Sequence, residues 1–274
     1  MGYLLGLAQC AYPHDGDVLA QVTAYAKAAA SAGVRLLVFP ENLMCPRPLN
    51  ASELRDLSEP LDGPFATKVR DIAHSNKLWI VFTMSEANAT GGQPFNTAVI
   101  VDDQGGIRTR YRKCHLYDAH SMRESDRMSP GDALCSAVQT PFCTLGVGIC
   151  YDLRFPEVAR TLATAGCDLI VYPACWHDGP HKSEHWETLL RARAIENECF
   201  VAGVCHAGKH LVSDSKVVDP MGQFLPSTTI PVGQDAAETL LVVEVDVQQV
   251  EKTRSAMPIL EHRRPDLYQS LTQE

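Results

Sequence analysis

The chain has 274 residues, enough to bury a sizeable core without disulfides, and 45% hydrophobic with 21% charged residues is an ordinary globular composition. Its formal net charge of −9, with no basic run longer than Arg263-Arg264, argues against the clustered cationic face that nucleic acid or an anionic membrane surface requires. No apolar run approaches the roughly 18 residues of a membrane span, so neither a membrane nor nucleic acid is an expected partner. Ten cysteines are scattered along the chain without a Cys-x-x-Cys pair, which reads as free thiols in a reducing compartment. Residues 1–9 lack the basic start of a secretory signal, and Gly6 does not suit a myristoylation motif; a cytoplasmic protein is expected.

Residues 3–9 are a short apolar run that predicts a first strand. Residues 15–31 are alanine-rich, with Val18, Val22, Tyr25, Ala26 and Ala29 on one face, and predict a helix that Gly33 stops. Residues 35–39 form an apolar strand ended by Pro40-Glu41-Asn42. This β-α-β opening implies a sheet faced by helices. A second helix is predicted over 63–76, then strands over 78–84 and 95–101. The turn signal Asp102-Asp103-Gln104-Gly105-Gly106 leads into a returning strand over 107–112, so the middle is antiparallel. Residues 114–132 are polar and aperiodic, and a loop that long in a compact domain is usually functional.

The second half repeats the theme. An apolar, glycine-interrupted strand runs from Phe142 to Cys150, and a helix follows over 156–165, stopped by Gly166. A strand over 168–172 ends at Pro173. A helix over 185–197, strands over 200–204, 215–218 and 240–245, and a helical turn over 247–254 complete the pattern. Two halves of similar order predict two α+β layers pressed sheet to sheet with helices outside. No linker separates them, so 1–274 is read as a single domain.

Three strand ends carry chemistry-bearing residues: Glu41, Lys113 and Cys150. Cys150 taken alone reads as one more buried core thiol, but its strand-to-helix corner is where a nucleophile is pushed outward beside free backbone N–H groups. Residues at neighbouring strand ends converge on one crevice. A thiol, a carboxylate to take its proton and an ammonium to hold a developing oxyanion are together sufficient for acyl transfer. His181 and His185 stand four apart but have no third ligand beside them, so no metal is expected.

Phe39-Pro40-Glu41, the segment Tyr111-Arg112-Lys113-Cys114-His115-Leu116, and the segment from Gly148 to Glu157 (GICYDLRFPE) resemble the three signatures of the nitrilase superfamily of carbon–nitrogen hydrolases, in the same order. The likeness runs from the first strand to Arg263-Arg264-Pro265-Asp266-Leu267-Tyr268. The resemblance implies an α-β-β-α sandwich, α/β in class. It also implies pairing into a homodimer or higher homo-oligomer, with residues 255–274 as a tail at that interface. It assigns Glu41 as general base, Lys113 as oxyanion stabiliser and Cys150 as nucleophile, with Glu124 assisting and the N–H of Tyr151 completing the oxyanion hole. No cofactor is implied.

Within the superfamily the chain looks most like the branch holding omega-amidases and deaminated glutathione amidases. The substrate this implies is a small carboxylate-bearing molecule with a terminal amide. Arg123, Trp176 and His177 are the expected substrate contacts, while Arg154 is expected to brace the elbow through Asp152 or Glu157. An N-carbamoyl amino acid hydrolase or a nitrilase would use the same triad. A catalytically inactive interaction module is the non-enzyme alternative, against which the intact Glu41, Lys113, Cys150 and Glu124 argue.

Overall fold

In a computed structural model, residues 2–120, 122–233 and 238–268 are described. The elements in chain order are β1 (Tyr3–Gln9), α1 (Val18–Ser31), β2 (Leu36–Val38), α2 (Ala51–Leu57), α3 (Pro64–Asn76), β3 (Trp79–Glu86), β4 (Phe95–Val101) and β5 (Ile107–Arg112). Then come β6 (Asp118–Ala119), β7 (Met122–Arg123), β8 (Val138–Gln139), β9 (Thr144–Val147), α4 (Pro156–Thr164), β10 (Leu169–Ala174) and α5 (Lys182–Asn197). The last are β11 (Phe200–Cys205), β12 (Lys216–Val218), β13 (Thr228–Pro231), β14 (Thr239–Val245), α6 (Gln248–Ala256) and α7 (Pro265–Tyr268).

Local chemistry sets many of these boundaries. The Asp17 side chain accepts from Ala20 N at 2.9 Å and starts α1, three residues after the predicted start. Pro64 opens α3 at a position whose N–H needs no partner. α2, unassigned in the sequence reading, is set by a reciprocal cap between Asn50 and Glu53. β10 continues through Pro173 to Ala174, past its predicted end. β9 pairs with β10 only as far as Val171, so the missing N–H of Pro173 costs no bond there.

The strands form a seven-stranded sheet, ordered β13-β14-β1-β2-β3-β4-β5, and a five-stranded sheet, ordered β12-β11-β10-β9-β8. Alternation along β2 shows how the layers are built. Leu36 and Val38 join one buried cluster with Leu145, Val147 and Val171 of the other sheet, whereas Leu37 and Phe39 join Val22, Tyr25 and Val69 of α1 and α3. On the far side Leu162 of α4 and Trp186 and Leu190 of α5 cover the five-stranded sheet. The result is the α-β-β-α sandwich, with a core between the sheets and another under the first helix layer.

The two halves are not separate in space. β14 leaves the second half and pairs antiparallel with the whole of β1, Tyr3 opposite Val245 through Gln9 opposite Thr239. The long segment over 114–132 is also more ordered than its composition predicts. It holds the two-residue pair β6–β7 and a 3-10 turn over Glu124–Asp126, fixed by Asp118 accepting from Ser125 N at 3.0 Å and Ser125 Oγ at 2.6 Å. Among the described residues no helix is long and apolar enough to cross a membrane.

Candidate active site

The site lies where the ends of the two sheets meet. From the seven-stranded sheet, β2 stops at Val38 and the chain turns at Asn42, whose left-handed φ of 59° asparagine tolerates. Thr83 Oγ1 pins this turn, donating to Pro40 O at 3.0 Å and accepting from Leu43 N at 3.1 Å, and Glu41 is directed into the interior. On β5, alternation separates the neighbouring cations. Arg110 and Arg112 both bind Glu86 at 2.7 Å, while Tyr111 and Lys113 are buried, Lys113 to 2% exposure.

Lys113 Nζ donates to Glu41 Oε1 at 2.8 Å and to Glu124 Oε2 and Oε1 at 2.8 and 3.1 Å. Asn96 of β4 donates to Glu41 Oε1 at 2.8 Å and to Glu124 Oε1 at 3.5 Å. The remaining oxygen of Glu41 accepts from Cys175 N at 2.9 Å, and Glu124 Oε2 accepts from Tyr117 N as well, at 2.7 Å. Each buried carboxyl group is thus held by a cation and by neutral donors, as burial requires.

From the five-stranded sheet, Cys150 follows β9 at the first position of a 3-10 turn over Cys150–Arg154, with φ at 45°. A non-glycine residue in that region is strained, and the strain is held by its surroundings. Gly148 lies so close to Tyr172 that a Cβ there would come within 2.6 Å of the ring. Asp152, fully buried, accepts from Ile149 N at 2.8 Å, Tyr111 OH at 2.8 Å and His115 N at 3.3 Å, with His115 Nδ1 at 2.7 Å. That one carboxyl group therefore ties the corner carrying Cys150 to the strand carrying Lys113.

The Glu41 carboxylate stands close enough to the Cys150 thiol to act on its ionisation. Burial and then the Glu41 charge push its pKa well above that of a free thiol, with Lys113 opposing them. Burial alone would raise Glu41. The Lys113 charge, with hydrogen bonds from Lys113 and Cys175 N–H, outweighs this and holds Glu41 below the usual carboxylate range. Burial opposes the charge on Lys113, but Glu124 and Glu41 hold it well above the ordinary lysine value. At neutral pH the arrangement is a protonated thiol beside an ionised carboxylate and a fixed ammonium.

These groups line a cavity of about 80 Å³ together with Tyr117, Met122, Arg127, Tyr151, Arg154, Trp176, His177 and Lys182. Of the residues singled out from sequence, Glu41, Lys113, Glu124, Cys150, Tyr151, Trp176 and His177 are brought together here. Trp176 packs on Trp186 as well, with ring centroids 5.0 Å apart. Arg123 is not brought in; β7 turns its side chain outward to 71% exposure, beside Asp126 at 3.6 Å. Arg154 lies over the Trp176 ring at 4.9 Å and does not brace Asp152, whose oxygens are already taken by Tyr111, His115 and the elbow. Asn96, Cys175 N–H, Arg127 and Lys182 were not anticipated. Asn96, a polar residue inside the apolar run of β4, was the one with a readable signal.

Comparison with known proteins agrees with this geometry. The carbon-nitrogen hydrolase family model matches residues 4–255. The chain is 32% identical to the omega-amidase NIT2 of Mus musculus over 265 residues, 92% of this chain and 91% of that protein. It is 33% identical to the deaminated glutathione amidase of Escherichia coli O157:H7 over 236 residues, 86% of this chain and 87% of the relative. Among solved structures, Saccharomyces cerevisiae Nit3, a member of the nitrilase superfamily, superposes with a TM-score of 0.79 at 25% identity, covering 96% of this chain and 97% of that one. The three strand-end signatures, the sandwich that gathers them and the family match over nearly the whole length agree: the chain belongs to the carbon-nitrogen hydrolase family.

Proposed function

We propose that this protein is a thiol amidase that hydrolyses the terminal amide of a small, carboxylate-bearing molecule through a thioester on Cys150. The observation that carries the reading is the buried set of Cys150, Glu41, Lys113 and Glu124 at the floor of one cavity. Because burial and Glu41 keep the thiol protonated, attack is coupled to proton transfer. As the Sγ–C bond forms, the S–H proton passes to Glu41 and the carbonyl oxygen becomes an oxyanion beside Lys113 and the Tyr151 N–H. Collapse breaks the C–N bond as Glu41 returns the proton to the departing nitrogen, and ammonia leaves. Water then gives a proton to Glu41 and its oxygen to the thioester carbon. The C–S bond breaks, Glu41 reprotonates the thiol, and a carboxylic acid is released. Glu124 keeps Lys113 in place through both steps.

A carboxylate on the substrate is supported by the rest of the lining. Arg127, Arg154 and Lys182 face the cavity, and none of the three pairs with a carboxylate among the described residues. The omega-amidase and deaminated glutathione amidase names of the relatives support the same class. Ten unpaired cysteines support a reducing, cytoplasmic setting. The exposed apolar side chains Ile195, Met221, Leu267 and Tyr268 support self-association, although part of the predicted interfacial tail, 269–274, lies outside the described residues. We read residues 1–274 as one unit.

The test is an ammonia-release screen over omega-amic acids, N-carbamoyl amino acids and aliphatic nitriles, with intact-mass detection of acylated Cys150 under rapid quench. Release from the amic acids, abolished in Cys150→Ala, is the expected result. Wild-type protein inert to all three classes would refute the enzyme reading, and preference for a carbamoyl compound or nitrile would move it to that neighbouring activity.

A further inference from the structure

The 80 Å³ cavity is too small to enclose more than the reacting end of a substrate, and it opens past Tyr117, Tyr151, Arg154, His177 and Lys182 into a groove of about 680 Å³. Lys182 stands at this junction. It is the first residue of α5, and its half-buried side chain runs inward against two aromatic rings, 5.2 Å from the Tyr117 centroid and 6.0 Å from that of Trp176. Trp176 Nε1 donates to Lys182 O at 3.1 Å, which fixes the backbone from which the ammonium projects.

Several cations of this chain are matched. Arg47, Arg110, Arg112, Lys113, Arg193, Lys216 and Arg264 each meet a carboxylate. Among the described residues, Lys182 Nζ has only the Tyr117 hydroxyl as acceptor, at 3.2 Å. An ammonium has three donors, so two remain for a ligand. The groove's carboxylate, Asp178, is bound to Gly179 N at 2.8 Å. The Arg154 guanidinium stacks on the same Trp176 ring and adds to a positive field at the mouth. A half-desolvated cation beside a second cation and two aromatic rings is stabilised by an incoming anion, and an aromatic floor suits the short methylene chain leading to it.

We propose that Lys182 is the specificity-determining cation of this site. It holds the carboxylate of a linear omega-amic acid at the cavity mouth while the amide lies at Cys150, and it leaves the groove to take whatever the substrate carries beyond that carboxylate. The proposal rests on the amidase reading above and deepens it. Lys182 acts in binding, not in the chemical step, so its removal raises KM and leaves kcat largely in place.

The experiment compares wild type, Lys182→Met and Lys182→Arg on a chain-length series of omega-amic acids from malonamate to adipamate, each beside the neutral amide of equal length. Wild type should prefer one acid over its neutral counterpart. Lys182→Met should cut kcat/KM for that acid by about 10- to 100-fold through KM, the worth of one charge-assisted hydrogen bond. Lys182→Arg should keep most of the preference. An undiminished preference in Lys182→Met overturns the proposal. Calorimetric titration of glutarate, which cannot be hydrolysed, into the same three proteins reads the subsite independently of turnover. Lys182-dependent binding in a protein inert to every amide would refute the amidase reading and keep the subsite. Equal binding by wild type and Lys182→Met would refute the subsite even if amides are hydrolysed.

Discussion

Replacing Lys113 with methionine removes the one cation that holds two buried carboxyl groups at 2.8 Å each. Methionine fills much the same space, so packing changes little and the electrostatic loss dominates. Breaking a buried ion pair by deleting one partner costs about 3–5 kcal/mol, because the charge left behind has lost its compensation. At roughly 2–4 °C per kcal/mol for a chain of this size, the melting temperature should fall by about 6–20 °C near neutral pH. The pH dependence gives the sharper test. In the wild type Glu41 titrates below its unfolded value, so its contribution is present above the unfolded carboxylate range and is lost as pH falls through the folded pKa. Without Lys113, burial, the largest influence on Glu41, is opposed only by hydrogen bonds from neutral donors and raises it. The variant's contribution then reverses sign: it loses stability as pH rises from the unfolded carboxyl value toward the raised folded one. Denaturant melts followed by circular dichroism at intervals between pH 5 and 8 should show the wild-type–variant gap widening with pH. A gap that is constant over this range, or below about 1 kcal/mol, would refute the account of Lys113 as counter-ion to a buried, ionised Glu41. Amide hydrolysis should fall by about 10²–10³ in the same variant, the usual loss for an oxyanion donor.

Further expectations rest on neighbouring contacts. Glu41→Gln should lower kcat by about 10²–10⁴ while making Cys150 more readily ionised, since the Glu41 charge is one of the influences that raise it. Opposite movement of the rate and of the thiol's alkylation pH profile separates a base from a mere neighbour; parallel movement would contradict the assignment. Gly148→Ala puts a Cβ within 2.6 Å of Tyr172 and should cost about 1–3 kcal/mol, read as a lowered melting temperature, with reduced turnover as the elbow shifts. Asp152→Asn turns an amide NH₂ toward a site filled by donors. A loss of about 1.5–3 kcal/mol per misfit charged hydrogen bond is expected by denaturant titration, and an unchanged midpoint would show that the hub is dispensable.

Much of this was readable in one dimension because it depends on neighbours in the chain. Period-two and period-3.6 patterns placed most of the long strands and helices, and the family resemblance of the segments around Glu41, Lys113 and Cys150 pointed to the sandwich and to these three as candidate site residues. Short elements escaped where a local signal was passed over, as at the Asn50–Glu53 cap of α2, or where pairing alone makes the strand, as in β6–β7. β14 could be read as a strand, but nothing near it in sequence says that it pairs with β1.

The site divides in the same way. Residue type and the turn at Cys150 belong to the sequence. Ionisation belongs to the tertiary structure, since the groups that fix it are remote: Lys113 lies 72 positions from Glu41, Asn96 lies 55, and the Cys175 N–H lies 134. Which arginine faces the cavity was equally a matter of tertiary placement. Arg123 and Arg154 are alike as letters, but the two-residue strand β7 points one to solvent while the turn after Cys150 lays the other on Trp176. Sequence by itself determined which chemistry the chain can perform, because local pattern specifies strand ends and the residues standing on them. Only the fold decided how those residues are charged and what else meets them in the cavity, because burial and Coulomb forces act through space between segments the chain keeps far apart.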